Sequence, residues 1–381
     1  MMKLQQFIND LDAADVKDQT AVQPQEMLIS RSDLTQTRLA PVTLTPLEPG
    51  EARMAVEQFG FSANNITYAV MGDRLRYWQF FPPQSEPSSG EDWGLLPVWG
   101  FATVSESACE DLPVGARLFG YWPTATHLTI RPTHVNAHRV VDGSSHRADL
   151  ARAYNAYRRM DTPNPLMDQP MMLLSPLYIT SWCLWDYLLD NDWFGAERVV
   201  IVSASSKTSI GLATALNLDP DARPATGLTS AANVEFVAGL GLYDSVADYD
   251  AVPDLPAVPT VVVDMSGNAA VLSALYQHLG DALTYCINVG MTHWDEPARG
   301  TGIPAERKEM FFAPGHLQKR AQEWGSSVLD QKTTGFMMQA GAKAQGWIHY
   351  EPHLGLEGLQ TLFNDVASGK VEPDKGLVIK I

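Results

Sequence analysis

A run of small and hydroxyl-bearing residues at 203–209 has the composition of a phosphate-binding loop. It follows the apolar stretch VVIV (199–202) and leads into a helix-forming segment that contains Gly211. Small side chains let the backbone approach an anion, and the amides at the N-terminus of a helix supply hydrogen-bond donors and the positive end of a dipole. The pattern predicts pyrophosphate binding, and the candidate residues are Ser203, Ser205, Ser206, Lys207, Thr208, Ser209 and Gly211.

Other motifs fit this loop less well. The fingerprint GxGxxG is absent, since only Gly211 remains as a glycine, where close packing of the helix on a strand would need it. The P-loop pattern GxxxxGK[ST] is missing, and SxxK would need a serine at position 204, which is alanine. No GxSxG occurs, which argues against a serine hydrolase. An ordinary serine-rich turn remains the alternative.

The segment GLTSAAN (227–233) bears on the choice of nucleotide. A carboxylate commonly lies about 20 residues after such a loop and binds the ribose hydroxyls of NAD. This segment has no carboxylate, whereas Thr229, Ser230 and Asn233 can donate hydrogen bonds to a 2′-phosphate. The sequence therefore predicts NADP(H) as the cofactor in preference to NAD(H), although the segment contains no Arg or Lys.

Strand-like and helix-like segments alternate from residue 198 onward, which is typical of parallel βαβ units. Right-handed crossovers place the loops that follow the strands at one edge of a doubly wound sheet, where open α/β folds bind ligands. Two further candidates, Ser266 and Gly290, each end an apolar run of this kind. We expect them at the same edge as the serine-rich loop.

The rest of the chain predicts a second, β-rich domain. Residues 31–140 carry short β-forming runs interrupted by Pro and Gly, whereas 147–160 and 170–190 have helical character. A turn at 372–376 precedes the apolar run LVIKI, which predicts a last strand that rejoins the first domain.

Composition excludes several classes of protein. The 381 residues carry a net charge of −17, which disfavours nucleic acid and anionic membranes as partners. No stretch approaches the roughly 18 apolar residues of a membrane-spanning helix, and three scattered cysteines suit a reducing, cytoplasmic setting. His134 and His138 are flanked by β-forming residues, where strand geometry would separate them by about 13 Å, so we predict no metal site.

The order of these parts resembles the medium-chain dehydrogenase/reductase superfamily. Residues 50–73 are similar to the strand and substrate loop of its GroES-like domain, 96–121 to its second conserved segment, and 199–213 to its nucleotide loop. The resemblance implies an α/β fold with a GroES-like β-rich domain and a Rossmann-type doubly wound parallel sheet. The implied domains are a GroES-like catalytic domain with an N-terminal extension, a Rossmann domain and a C-terminal return to the first, at 1–165, 166–330 and 331–381.

The resemblance also points to the zinc-independent branch, which contains quinone and enoyl reductases. The stretches SANNITY (62–68) and WGFATV (99–104) stand where the zinc alcohol dehydrogenases carry their metal ligands, and neither contains Cys or His. Hydrogen-bond donors must then stabilise the charge that hydride transfer creates. The implied substrate loop offers Asn64, Asn65, Thr67 and Tyr68, with Tyr68 as the proton donor. The alternative for Tyr68 is a packing role in the β-rich domain.

The predicted function is NADP(H)-dependent hydride transfer to an activated alkene, quinone or carbonyl of a small molecule. The alternative is a non-catalytic NADP(H)-binding redox sensor or interaction protein on the same fold. A homodimer remains open.

Overall fold

Two large sheets form the framework of the described structure. A computed structural model describes residues 23–85, 92–160, 162–289 and 301–381. One sheet has nine strands, most of them antiparallel, and the other has six strands, all parallel. The α/β fold class predicted from the sequence is confirmed.

The first part of the chain is rich in β-structure, and several of its strands are buried along most of their length, such as Gln25–Ser30, Ala52–Phe61 and Arg117–Pro123. It contains an α-helix, α1, which spans Ala63–Val70. Its strands are β1 (Gln25–Ser30), β2 (Thr37–Pro41), β3 (Ala52–Phe61), β4 (Trp93–Leu95), β5 (Pro97–Ser107), β6 (Arg117–Pro123), β7 (His127–Ile130), β8 (Pro132–Thr133), β9 (Arg139–Asp142) and β10 (Ala156–Arg159).

Two consecutive helices, α2 (Pro165–Leu173) and α3 (Ser175–Asp190), lead into the parallel sheet, as the helical character of 170–190 predicts. Its strands then alternate with helices along the chain. They are β11 (Arg198–Val202), α4 (Lys207–Leu218), β12 (Ala225–Thr229), α5 (Val234–Gly239), β13 (Ser245–Asp248), β14 (Thr260–Asp264), α6 (Ala269–Leu279), β15 (Leu283–Asn288) and β16 (Lys308–Met310).

The chain ends by returning to the first sheet. The last elements are α7 (Ala313–Trp324), α8 (Ser326–Ala344), β17 (His349–Leu354), α9 (Gly355–Ala367) and β18 (Lys375–Lys380). Strand β18 lies antiparallel to β3, with Leu377 opposite Phe61. The large sheet therefore has the order β17-β18-β3-β5-β6-β10-β9-β8, with β7 also paired to β3, and a small sheet has the order β2-β1-β4.

The parallel sheet has the order β13-β12-β11-β14-β15-β16, so its chain order reverses between β11 and β14. Strands β12 and β13 extend to one side of β11, and β14 to β16 extend to the other side. In open α/β sheets, the crevice outside the carboxyl ends of the strands at such a reversal is where ligands bind. The serine-rich segment follows β11 and therefore lies at this reversal.

A buried ion pair ties α2 to the first sheet. Arg117 in β6 donates from Nη2 to Oδ2 of Asp168 in α2 (2.9 Å) and from Nε to Oε2 of Glu57 (2.7 Å). The guanidinium also lies 3.9 Å from the centre of the Phe101 ring. Because Arg117 and Asp168 are both buried, each neutralises a charge that would otherwise be costly inside the protein.

The prediction of helix at 147–160 is wrong. This segment contains two single-turn 3-10 helices, Ser145–Arg147 and Arg152–Asn155, and then strand β10. Alanine and arginine favour a helix locally, but Tyr157 stacks on Trp122 of β6 with ring centres 4.4 Å apart. Packing of that ring in the core outweighs the local helix propensity.

The histidines at 134 and 138 also differ from expectation, because they lie in the turn between β8 and β9 and not within a strand. His134 has a left-handed backbone with φ of 49°. Among the described residues, no group of three or more His, Cys, Asp or Glu side chains is arranged to hold a metal ion. None of the described helices combines the length and the apolar character needed to cross a membrane.

Candidate functional site

A cleft of about 1100 Å³ runs between the β-rich domain and the carboxyl edge of the parallel sheet. Both domains and the C-terminal segment contribute to its walls. Eleven of the residues singled out in the sequence line it, namely Asn64, Thr67, Tyr68, Ser203, Ser205, Ser206, Lys207, Thr208, Thr229, Ser230 and Asn233. The structure thus brings the two sets of candidates, which are far apart in sequence, into one site.

The serine-rich loop forms a capped helix start. Ser206 is the N-cap of α4, and its hydroxyl oxygen accepts a hydrogen bond from the amide of Ser209 (3.2 Å). Ser203 adopts a left-handed backbone with φ of 63°, and its carbonyl accepts from the amide of Ser206 (2.9 Å). Within the described residues, the amides of Lys207 and Thr208 have no partner. These amides and the dipole of α4 can bind an anion.

The loop after β12 touches the loop after β11 through its side chains. Thr229 donates from Oγ1 to Oγ of Ser205 (3.3 Å), and Asn233 donates from Nδ2 to the same oxygen (3.2 Å). Ser230 lines the cleft beside them. Hydroxyl and amide groups, with no carboxylate, therefore occupy the position at which a ribose or its 2′-phosphate would be recognised.

Lys207 extends toward the C-terminal segment. Its Nζ donates to the carbonyl oxygen of Pro373 (3.0 Å), which precedes β18. Burial lowers the pKa of Lys207 to about 8, an effect that the negative charge of Asp374 opposes. The amine therefore lies where the two domains meet, and it remains mostly protonated at neutral pH.

The charge of the cleft differs from that of the whole chain. The cationic side chains along its described walls are Arg74, Lys207, Lys370 and Lys375, and the carboxylate is Glu372. The chain as a whole has 44 acidic and 27 basic residues. Basic residues are thus concentrated at the cleft of an acidic protein, which favours an anionic ligand there.

Several predicted site residues do not line the cleft. Asn65 uses both ends of its amide, since Oδ1 accepts from the amide of Ser62 (2.9 Å) and Nδ2 donates to the carbonyl oxygen of Pro97 (3.1 Å). Ser209 is buried and bonded to Ser206. Ser266 is also buried, and it donates to Asp264 and accepts from the amide of Asn268. These residues shape the loops, and the direct roles predicted for them are corrected accordingly.

Gly211 lies where α4 packs against α3. The sequence predicts instead that this glycine lets the helix pack closely on a strand. A Cβ atom at this position of α4 would lie 2.5 Å from Oγ of Ser181 and 2.6 Å from Cδ1 of Tyr178, both in α3. Glycine therefore permits close approach of α3 and α4 next to the nucleotide loop. The remaining candidate, Gly290, lies outside the described residues.

The predicted substrate loop begins with a helix, α1. Ser62 is its N-cap, and the Ser62–Asn65 pair forms a capping box. The spacing of these two residues is a local signal that predicts a helix start. Thr67 uses its hydroxyl to donate to the carbonyl oxygen of Ala63 (3.4 Å), so α1 presents Asn64 and Tyr68 as its more available polar groups.

Tyr68 is 6% exposed and lines the cleft. Nε1 of Trp99 donates to its Oη (3.2 Å). Burial, and then the neighbouring Tyr77, raise the pKa of Tyr68 well above its ordinary value, and hydrogen bonding with the side chains of Trp99 and Asn64 acts in the opposite direction. The phenol is therefore protonated at neutral pH and carries a hydrogen that it can donate.

Some residues of the cleft were not found from the sequence. Tyr154 stands in the aromatic wall of the cleft, next to Tyr77, whose ring packs against Tyr68. Thr180 of α3, Asn268 at the start of α6 and the C-terminal residues 366–373 also line the cleft. No local motif marks these positions, because they reach the site through the packing of distant segments.

Comparison with protein families places this chain in a group without an assigned activity. A family model described as a protein of unknown function, DUF2855, matches residues 59–372. The chain belongs to this family. No curated protein matches it in sequence.

Solved structures with the same architecture include reductases. CurA from Vibrio vulnificus in complex with NADPH has a TM-score of 0.60 at 12% identity, covering 93% of this chain and 98% of that chain. The mitochondrial 2-enoyl thioester reductase Etr1p/Etr2p heterodimer from Candida tropicalis has a TM-score of 0.56 at 13% identity, covering 94% and 100%. An Etr1p complex with NADP and crotonyl-CoA has a TM-score of 0.56 at 14% identity, with the same coverage. The GroES-like plus Rossmann architecture is thereby confirmed.

Proposed function

We propose that this protein is a zinc-independent, NADP(H)-dependent reductase that transfers hydride to an activated alkene, quinone or carbonyl of a small molecule. The observation that carries the proposal is the cleft itself. It combines a buried, protonated phenol from the β-rich domain with a capped, serine-rich helix start at the reversal of the parallel sheet. A site with both features can bind a nucleotide at one end and protonate a substrate at the other.

The residues present fit a phosphorylated dinucleotide. The free amides of Lys207 and Thr208 at the N-terminus of α4 suit a pyrophosphate, and the hydroxyl and amide groups of Thr229, Ser230 and Asn233 suit a 2′-phosphate. The similar structures of CurA and Etr1p hold NADPH and NADP, respectively. When bound, NADPH supplies the hydride.

Tyr68 holds the proton that the reaction needs. Addition of hydride to the β-carbon of an enone or enoyl thioester, or to a carbonyl carbon, leaves negative charge on the substrate oxygen. Breaking the O–H bond of Tyr68 delivers a proton to that enolate or alkoxide, and the electron pair of this bond remains on the phenolate oxygen. Solvent then reprotonates the phenolate. Tyr77 and Tyr154 form aromatic walls that limit the access of water to this oxygen.

The donor chemistry of the site supports zinc independence. The two segments that the resemblance aligns with zinc-ligand positions meet at the bond between Tyr68 and Trp99. A phenol, an indole and amides occupy this place, whereas zinc sites use thiolate, imidazole or carboxylate groups. We therefore assign charge stabilisation to hydrogen-bond donors of the chain.

The test is steady-state oxidation of NADPH with a panel of enones, enoyl thioesters, quinones and aldehydes. We expect turnover with at least one class, unchanged by EDTA. We expect Tyr68→Phe to lower kcat by about 10²- to 10⁴-fold while NADPH affinity stays constant, because only the proton donor is removed. Tyr276→Phe, outside the cleft, serves as the matched control.

Saturable NADPH binding without turnover across the panel would overturn the proposal and favour the non-catalytic sensor. Wild-type turnover in Tyr68→Phe would show that Tyr68 is a packing residue. Activity that is lost on chelation and restored by zinc would refute zinc independence.

A further inference from the structure

We propose that Trp99 is a positioning residue for proton donation, because its indole N–H holds the phenol oxygen of Tyr68 and directs the hydroxyl hydrogen of Tyr68 toward the cleft. The inference rests on the proposed function, in which Tyr68 is the proton donor. It concerns β5, a strand with no side chain among the candidate catalytic residues. It also gives a functional role to Nε1, the one polar atom of the half-buried Trp99 side chain.

The direction of the hydrogen bond follows from the two chemical groups. An indole nitrogen can only donate, whereas a phenol oxygen has one hydrogen and two acceptor lone pairs. The 3.2 Å contact between Nε1 of Trp99 and Oη of Tyr68 must therefore use a lone pair of the phenol. The hydrogen of Tyr68 consequently remains available, and it points away from the indole.

Asn64 lies one helical turn before Tyr68 on the same face of α1, and it also lines the cleft. Hydrogen bonding of its side chain opposes the rise in the pKa of Tyr68. With the indole donating to the phenol oxygen, the hydrogen of Tyr68 is free for a partner in the cleft. After proton transfer, the N–H of Trp99 remains in place beside the phenolate oxygen, which then carries the charge.

Trp99 is held rigidly enough to have this role. Its backbone pairs with Gly60 of β3 on one side and Tyr121 of β6 on the other. Its ring stacks on Phe119 with ring centres 5.8 Å apart, and it packs against Tyr154 at 5.9 Å. A donor fixed on a central strand loses little further entropy when charge develops on its partner.

The need for such a donor arises from burial. Burial and the neighbouring Tyr77 make the phenol of Tyr68 a weaker acid, since the phenolate would lose its hydration. A fixed donor replaces part of that hydration. Because Trp99 does not line the cleft, its effect should reach the substrate only through Tyr68.

A double-mutant cycle tests this coupling. We expect Trp99→Phe to lower kcat by about 10- to 100-fold, with KM and NADPH affinity nearly unchanged, because a hydrogen bond to a developing charge is lost. We expect a larger solvent isotope effect on kcat in this variant, as proton transfer becomes slower. In the Tyr68→Phe background, the same substitution should have almost no further effect on kcat.

Trp185→Phe is the matched control, since Nε1 of Trp185 donates to Oδ2 of Asp219 (2.9 Å) away from the cleft. It should leave kcat and the isotope effect at wild-type values. Site-specific incorporation of 3-benzothienylalanine at position 99 keeps the ring and removes only the N–H. This second variant should reproduce the loss of kcat even where Trp99→Phe fails to fold.

The outcomes separate the two claims. If Tyr68→Phe retains wild-type turnover, the proposed function of Tyr68 fails and the inference fails with it. If Tyr68→Phe is impaired, the inference alone is overturned by either of two results. One is an equal effect of Trp99→Phe in both backgrounds, and the other is full activity of the benzothienyl variant.

Discussion

Cofactor affinity should depend on pH through Lys207. In the free protein, the pKa of Lys207 is lowered to about 8 by burial, so its amine is about 90% protonated at pH 7 and about 10% protonated at pH 9. A bound phosphate favours the protonated amine and should return its pKa toward the ordinary value of 10.5. Binding above pH 8 therefore requires uptake of a proton, and affinity should fall as the pH rises.

The expected size follows from the two protonation states. With a pKa of about 8 when free and about 10.5 when bound, the Kd for NADPH should rise about tenfold between pH 7 and pH 9, or about 1.4 kcal/mol. Lys207→Met should abolish this dependence and weaken binding at pH 7 by about 1.5 to 3 kcal/mol. Turnover at saturating cofactor should change little.

The assay is a fluorescence titration with NADPH at constant ionic strength, because salt screens phosphate contacts. Lys343→Met is the matched control, since Nζ of Lys343 donates to Oδ1 of Asn217 on the surface (2.8 Å), and it should retain the wild-type pH dependence. Equal wild-type affinity at pH 7 and pH 9 would refute the reasoning. So would a Lys207→Met variant that keeps the wild-type dependence.

Three further predictions concern specificity and stability. NADPH should bind at least about tenfold more tightly than NADH, because no carboxylate stands at the ribose position, and calorimetry giving equal affinities would contradict this. Asp168→Ala should lower the free energy of unfolding by about 3 to 5 kcal/mol in urea titrations, since Arg117 would lose its buried partner, and a loss below about 1 kcal/mol would show that Glu57 suffices. Gly211→Ala should cost about 1 to 3 kcal/mol through its clash with α3, whereas Gly341→Ala, with open space around it, should not destabilise.

The nucleotide end of the site could be predicted from the sequence to a large extent. The apolar run 199–202, the small residues that follow it and the helix-forming segment after them are all local signals. Alternation of strands and helices then requires that the loops after β11 and β12 share one edge of the sheet. Ser205 and Thr229 accordingly lie within hydrogen-bonding distance, although 24 residues separate them.

The substrate end was predicted less completely. The resemblance points to the segment that contains Tyr68. It does not distinguish Asn65, whose side chain accepts a hydrogen bond at the start of α1, from Asn64, which lines the cleft. Both are asparagines on the same turn of helix, and only the packing of α1 against β5 decides which one faces outward. The helix predicted at 147–160 failed for a related reason, because burial of Tyr157 overrode local propensity.

The sequence by itself determined the class of fold, the order of its parts and the chemical character of the nucleotide loop, since these depend on periodicity and on residues close together in the chain. Tertiary structure decided the partners of the functional groups. Lys207 meets the carbonyl of Pro373 across 166 positions, and Trp99 meets Tyr68 across 31. Such contacts depend on how strands and helices from distant segments pack, and no local pattern encodes them.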